Sequence, residues 1–409
     1  MARARRGRGE GALFWDKQAG VWAAEISLGY DAEGKRIRRR IRGRKGETKA
    51  QVRQRLAELI QDIATGAPVK PEKLTVAEHF QDWLRAKRPN VRETTYHAYE
   101  VKIRNHIIKH LGHIKLTDLT YRHVEAMYEQ MDTAGLSPRM VHDVAALLRQ
   151  GLDDAVKKGL IKHNPAKLAA KRTFPDKEAR FMTAEEIRLF RAGCEGERLG
   201  NLFIFMLETG VRLGEALGLP WSAVDFEAGK VTIRQALHEV RGRFYIGDVK
   251  TAAGRRTITL TTAALQVLRD QKRAQTEARL KAGPAWNNEW DLVFTGENGA
   301  PLRRSNITRR DLHRVIQNAR RIELERLVNA GVPIGKARDQ VAKLLERVTP
   351  HSLRHTHASL LIFSGADPQV VRRRLGHANI VVTLQKYGHL FPNQDEMATA
   401  RLEEFLATL

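Results

Sequence analysis

The sequence predicts a multidomain, mainly α protein with small antiparallel sheets. Three observations lead there. Its 409 residues exceed one ordinary domain. Apolar residues recur at helical spacing through most of the chain. Short alternating stretches interrupt that pattern near residues 20–43 and 230–260.

In the first region "GVWAAEISLGY" reads as a strand, "DAEGK" as a turn and "RIRRRIRG" as a second strand. "TKAQVRQRLAELIQDIATG" then sets Val52, Leu56, Leu59, Ile60 and Ile63 at helical spacing, with Thr48 as N-cap and Gly66 as stop. Residues 1–66 are therefore expected to form a sheet-plus-helix domain. Arg36, Arg38, Arg39, Arg40, Arg42 and Arg44 would suit a β-ribbon laid in a DNA groove; the plain alternative is a solvated basic hairpin. "APVKPEK" is a linker. From 74 to 170 the pattern is helical throughout. Thr75 and Glu78 stand at capping-box spacing, Gly112, Gly135 and Gly159 close helices, and Pro138 opens the last, so about four helices form a bundle. The third domain, 178–409, reads as mixed α/β. "LGNLFIFMLETG" is a core helix, and "KVTIRQAL", "GRFYIGDV" and "RRTITL" are strands of one small antiparallel sheet. A long charged stretch at about 321–348 reads as a helical hairpin on the surface. The tail "NQDEMATARLEEFLATL" offers Met397, Leu402, Phe405, Leu406 and Leu409 to one face of an amphipathic helix.

Charge speaks to partners. Seventy-one basic against 47 acidic residues leave +24, and the pI is about 10.4. Nucleic acid is the favoured partner and an anionic membrane surface the competitor. No apolar run approaches the ~20 residues that span a bilayer, and "MARARRGRGEGALFW" lacks the apolar core of a secretory signal. The single cysteine, Cys194, excludes an internal disulfide and a cysteine-rich zinc module. A cytoplasmic protein acting on DNA or RNA is expected. The sequence holds neither a GxxxxGK(S/T) loop nor a carboxylate cluster for a two-metal site.

Two stretches then gather histidine, arginine and tyrosine almost without carboxylates: "HSLRHTHASLL" at 351–361 and "RLGHANIVVTLQKYGHL" at 374–390. A zinc site could use His351 and His355, one helical turn apart, but no third ligand is evident. Preceded by "ETGVRLGEALGL" and "DVKTAAGRRTITL", these stretches resemble, in order, the signature segments of the tyrosine recombinases, the phage-integrase family. The resemblance extends over essentially the whole chain. It implies that a tyrosine attacks a DNA phosphorus, leaving a 3′-phosphotyrosine bond that a 5′-hydroxyl later reverses, with no cofactor and no metal. The domains then become an arm-site DNA-binding domain (1–66), a core-site DNA-binding domain (74–170) and a tyrosine-recombinase catalytic domain (178–409).

Phosphoryl transfer asks chiefly for positioning and charge stabilisation, for which planar guanidinium forks are well suited. Residue by residue, the resemblance makes Arg212 and Arg354 the two family arginines. His351 and His377 become phosphate-facing donors, and His351 could also take the nucleophile's proton. Lys250, on the tip side of the predicted hairpin, becomes the general acid for the leaving 5′-oxygen, and Tyr387 the nucleophile. Glu215 is expected to orient cations. His355 and His357 fall outside the family's catalytic positions and are expected to pack or hydrogen-bond. The polar setting "QKYGH" argues for an accessible Tyr387 ring. The resemblance further implies double-stranded DNA with core and arm attachment sites, strand exchange through a Holliday junction, a homotetramer with the tail docked on a neighbouring protomer, and direction control by an excisionase and a DNA-bending host factor. The arm-type domain favours integration of a phage or mobile element. Type IB topoisomerase-like relaxation and non-enzymatic DNA-binding regulation are the alternatives.

Overall fold

The computed structural model of the chain describes residues 12–30, 34, 36–64, 74–170, 172–174, 180–249, 251–390, 399, 402–403 and 405–408. The chain divides into two compact units, residues 1–175 and 176–409. Among the described residues no helix is long and apolar enough to cross a membrane.

The first unit opens with a three-stranded antiparallel sheet, β1 (Ala12–Asp16), β2 (Val21–Tyr30) and β3 (Arg36–Arg42), followed by α1 (Lys49–Ala64). Ala24 and Ile26 of the sheet bury against Val52 and Leu56 of the helix. Thr48 caps α1 as expected, accepting the Gln51 N–H at 3.4 Å while its own N–H meets Gln51 Oε1 at 2.8 Å. Gly66 lies outside the described residues. Strand β1 was not foreseen: five residues without alternation carry no period signal, and pairing with β2 selects the conformation. Several hairpin arginines have partners within the sheet. Arg40 meets Asp16 at 2.9 Å, Arg42 the same carboxylate at 3.4 Å, and Arg38 meets Glu25 at 3.4 Å.

The bundle follows: α2 (Val76–Lys87), then α3 (Glu93–Lys102) running through a π turn at Ile103–Ile108 into α4 (Lys109–Leu111), then α5 (Tyr121–Thr133) and α6 (Pro138–Lys157). The expected capping box is present, with Glu78 N–H to Thr75 Oγ1 at 3.2 Å and Thr75 N–H to Glu78 Oε2 at 2.8 Å. Phe80, Trp83, Ile107, Tyr128, Val144, Leu148 and Leu152 fill the core.

In the second unit α7 (Ala184–Cys194), α8 (Gly200–Thr209) and α9 (Leu213–Leu217) lead into five strands: β4 (Val224–Asp225), β5 (Lys230–Ile233), β6 (Gln235–Val240), β7 (Arg243–Asp248) and β8 (Arg256–Thr259). Helices resume as α10 (Thr262–Ala282), α11 (Arg304–Asn306), α12 (Leu312–Asn329), α13 (Ile334–Ala342), α14 (Pro350–Phe363), α15 (Pro368–Leu375) and α16 (Ile380–Tyr387). The apolar α8 is the central element, packed against α10 and α14. The expected single sheet is two. β4, β5 and β8 form one, while β6 and β7 form a separate hairpin. Its turn is at Arg241–Gly242. The charged stretch does form a helical hairpin, α12 and α13, but not one confined to the surface. Glu323, Ala337, Val341, Leu345 and Val348 are buried, and α12 packs along α7.

Gly151, in the middle of α6, shows how tightly the bundle closes. A Cβ there would lie 2.3 Å from Phe80 Cε1, and the Gly151 carbonyl accepts from His79 Nε2 at 2.8 Å. Glycine is unfavourable in a helix interior, so its use here reflects close approach. Gly151→Ala should destabilise the bundle by ~1–3 kcal/mol through overpacking, read as a lower urea midpoint; an unchanged midpoint would refute the close-packing account.

Candidate active site

The site is built outward from Glu215. Helix α8 ends at Gly210, whose φ of +66° turns the chain back. A Cβ there would meet the His357 ring at 2.6 Å, a second reason for glycine. The reversal makes Arg212 the N-cap of α9 and puts Glu215 in its first turn. Glu215 is only 3% exposed. It accepts the Arg212 N–H at 3.0 Å, Arg212 Nη1 at 2.6 Å and Arg256 Nη2 at 2.8 Å. Burial by itself would raise this carboxyl; the Arg256 guanidinium, aided by Arg212, outweighs it and holds the group below its ordinary value. Arg256 also donates Nε to the Arg374 carbonyl at 2.7 Å and Nη1 to the Gly254 carbonyl at 2.9 Å. It ties β8 to α9 and α15. Sequence reasoning missed it, noting it only as a neighbour of Lys250. The signal was available: Arg256 alternates in phase with buried Ile258, and an inward arginine must find a carboxylate.

Helix α14 carries three more members. Thr349 caps it, with the Ser352 N–H on Thr349 Oγ1 at 3.2 Å, which leaves His351 free of that duty. Arg354 is 1% exposed. It donates Nη1 to the Gly210 carbonyl at 2.8 Å and Nη2 to the Leu375 carbonyl at 2.5 Å. Arg212, with its side chain one-third exposed, donates Nη2 to the next carbonyl, Gly376, at 3.4 Å. Two guanidiniums from distant segments thus meet one backbone corner, Leu375–Gly376. The corner needs glycine: φ at Gly376 is +66°, and a Cβ would lie 2.9 Å from the Ala253 carbonyl oxygen. Burial, and then the Arg212 charge, lowers Arg354 to about 9, so it remains a cation at neutral pH.

His377 follows that corner and is buried, its Nδ1 2.9 Å from Thr383 Oγ1 on α16. Burial, with Arg354 and Arg212 beside it, lowers it to about 3. His351 keeps an exposed edge while its ring packs edge-on against His355 at 4.5 Å. Desolvation of the ring, with Arg354, Lys386 and Arg212, lowers it to about 4. His357 spans Leu207 and Arg374: its Nδ1 is 2.9 Å from the Leu207 carbonyl, and its Nε2 accepts from Arg374 Nε at 3.0 Å. It is a structural brace, as expected of it. Lys250 lies outside the described residues.

Tyr387 corrects one expectation. Its ring is 1% exposed and packs with Ala358, Ile362, Val371 and Leu375. The hydroxyl is nonetheless 2.6 Å from His355 Nδ1. The partner is His355, not His351. Burial pushes the phenol up to about 12, against the pull of Arg354.

Three buried histidines, His355, His357 and His377, are held at about 3, chiefly by burial. In the unfolded chain each titrates near 6.5, so the unfolded state takes up protons first as pH falls. Stability is full above that value and declines below it, by up to ~1.4 kcal/mol per pH unit for each ring until the folded value is passed. The melting temperature of the second unit should therefore fall steadily between pH 6.5 and pH 4; a flat profile in calorimetry would contradict these burials.

The phage integrase family model matches residues 175–394, and that of the phage integrase N-terminal SAM-like domain matches residues 75–131. An integrase of Streptomyces ambofaciens is 28% identical over 390 residues, spanning 94% of this chain and 93% of that protein. A protein described as tyrosine recombinase XerC-like, from Caldanaerobacter subterraneus, is 27% identical over 398 residues, spanning 93% and 95%. Among solved structures, the Tn1549 transposon integrase in complex with circular intermediate DNA shares the fold with a TM-score of 0.60 at 20% identity, covering 77% of this chain and 95% of that one. A lambda integrase bound to a core site gives 0.51 at 15% identity, covering 94% and 96%. The chain belongs to the phage integrase family and is a tyrosine-type site-specific recombinase.

Proposed function

We propose that the chain integrates a phage or mobile element by cutting and rejoining double-stranded DNA, with Tyr387 as nucleophile and Arg212, Arg354, His351 and His377 around the scissile phosphate. The observation that carries this reading is the pair of guanidiniums, Arg212 and Arg354, anchored on the Leu375–Gly376 corner beside His377. Arginine forks fixed before substrate arrives are what phosphoryl transfer requires, since charge on the non-bridging oxygens is stabilised without reorganisation. His351 and His377, neutral at physiological pH, each have an N–H to donate. Lys250 protonates the leaving 5′-oxygen. As the Tyr387 oxygen bonds to phosphorus, the P–O5′ bond breaks, and the phosphodiester energy is kept in the 3′-phosphotyrosine link for a later 5′-hydroxyl. Strand exchange then runs through a Holliday junction.

Other features fit the same reading. Arg255, Arg256, Arg372, Arg373 and His377 line an open cavity of about 560 Å³, an electropositive path for the backbone. We assign the helical bundle to core-site DNA and the sheet-plus-helix to arm-site DNA, the latter through hairpin arginines. An excisionase and a DNA-bending host factor would set direction. In the tail Leu402, Phe405 and Leu406 are exposed, whereas Met397 and Leu409 lie outside the described residues. Exposed apolar residues of this kind suit docking on a neighbouring protomer of a tetramer.

Tyr387→Phe should abolish covalent adduct on a nicked attachment-site substrate while leaving DNA affinity intact; adduct of normal yield would remove Tyr387 from its role. Arg354→Ala should lower the single-turnover cleavage rate by ~10²–10³. Deletion of residues 393–409 should impair multimer assembly on DNA, by native gel shift, more than single-strand cleavage; equal loss of both would count against docking by the tail.

A further inference from the structure

Tyr387 Oη has one hydrogen-bond partner among the described residues, and it is a residue the family resemblance leaves without a role. His355 Nδ1 lies 2.6 Å away. The two rings sit 5.6 Å apart, and His355 also holds the edge-on contact with His351 at 4.5 Å. A row of three side chains, His351, His355 and Tyr387, therefore runs from the exposed edge of α14 to the buried end of α16. Sequence reasoning had offered His351 for the tyrosine's proton. The geometry gives that place to the next residue on the same helical face.

We infer that His355 is a further catalytic residue: its Nδ1 aims the Tyr387 hydroxyl and accepts its proton as the tyrosine oxygen bonds to phosphorus. The inference rests on Tyr387 being the nucleophile. The balance is simple. The Oη–H bond breaks and its proton goes to His355 Nδ1. The Oη–P bond forms, the P–O5′ bond breaks, and the leaving oxygen takes a proton from a separate acid.

Neutrality of the ring makes this workable. Burial, together with His351, Lys386 and Arg354, holds His355 at about 3, so the ring is neutral at neutral pH, and in its Nε2–H tautomer Nδ1 offers a lone pair to the hydroxyl. The phenol stands at about 12. A proton shift ahead of attack is thus steeply uphill. Transfer has to accompany formation of the Oη–P bond, when the phenol becomes strongly acidic. The phosphodiester helps as well, for its negative charge against Arg212 and Arg354 offsets the cations that depress His355. His357, two residues on, cannot substitute, because its ring is engaged by Leu207 and Arg374.

The test compares full-length wild type, His355→Ala and His355→Asn in single-turnover cleavage of a nicked attachment-site DNA and of the same DNA with a 5′-bridging phosphorothiolate. Asparagine sets its side-chain oxygen near the Nδ1 position, so it can orient the hydroxyl but not hold its proton. The alanine variant should cleave ~10²-fold more slowly with unchanged DNA affinity, and asparagine should recover part of the loss. The phosphorothiolate, which needs no general acid, should leave the defect in place. An alanine variant that cleaves as fast as wild type, or faster, overturns the inference; in the second case the contact only stores the nucleophile. Full rescue by phosphorothiolate overturns it too, as does an asparagine variant that melts with wild type yet recovers nothing. Tyr387→Phe, run in parallel, keeps the two readings apart. Adduct in that variant defeats the assignment of the nucleophile whatever His355 does.

Discussion

A carboxylate enclosed by two guanidiniums holds this site together. Glu215 is buried, and so is the Arg256 side chain that meets it at 2.8 Å. Such a pair adds little net stability, because desolvation of both charges offsets their attraction. Its value is positional. Arg256 spends its remaining donors on Gly254 and Arg374, and Glu215 spends its own acceptors on Arg212. Three segments far apart in sequence are fixed in register by one ion cluster. Removal of one partner would leave the other charged and buried without compensation, a cost of ~3–5 kcal/mol.

The second constraint is electrostatic. Burial, and then the Arg212 charge, lowers the affinity of Arg354 for its proton. Backbone carbonyls keep them together. Leu375 and Gly376 present their oxygens at the C-terminal end of α15, where the helix dipole also favours cations. Both forks are thereby preorganised on backbone oxygens. Preorganisation of this kind explains why the corner must be Gly376: a side chain would displace the carbonyls on which both forks rest.

Much of the fold was legible in local chemistry. Thr48 and Thr75 cap helices that their sequences announce, and the bundle follows from helical periodicity with glycine stops. What sequence missed depends on long-range pairing. Whether β8 joins β5 or β7 is not written in "RRTITL", so one sheet was expected where there are two. The stretch at about 321–348 reads as charged, yet Ala337, Val341, Leu345 and Val348 within it are buried. At the site, the boxes fixed which residues to watch. They did not disclose Arg256, whose meaning is in its register, or the partner of Tyr387.

Tyr387 is the most instructive case. Its sequence neighbours are polar, and they suggested exposure. Helix α16 inverts the usual amphipathic logic: Val381, Val382 and Leu384 are 46%, 37% and 45% exposed, while Thr383 and Tyr387 face inward. The inward pair stand four residues apart, one above the other. Thr383 engages His377 and Tyr387 engages His355. The helix is thus held to the site by two hydrogen bonds and one buried ring, not by an apolar stripe. A hydrogen bond of this kind contributes ~1 kcal/mol net, so a small displacement of α16 is inexpensive. Among the described residues Thr383 engages His377 through Nδ1, and one turn of helix separates that contact from the residue that carries the hydroxyl. The His377 and His355 contacts of α16 are therefore linked through a single helical turn.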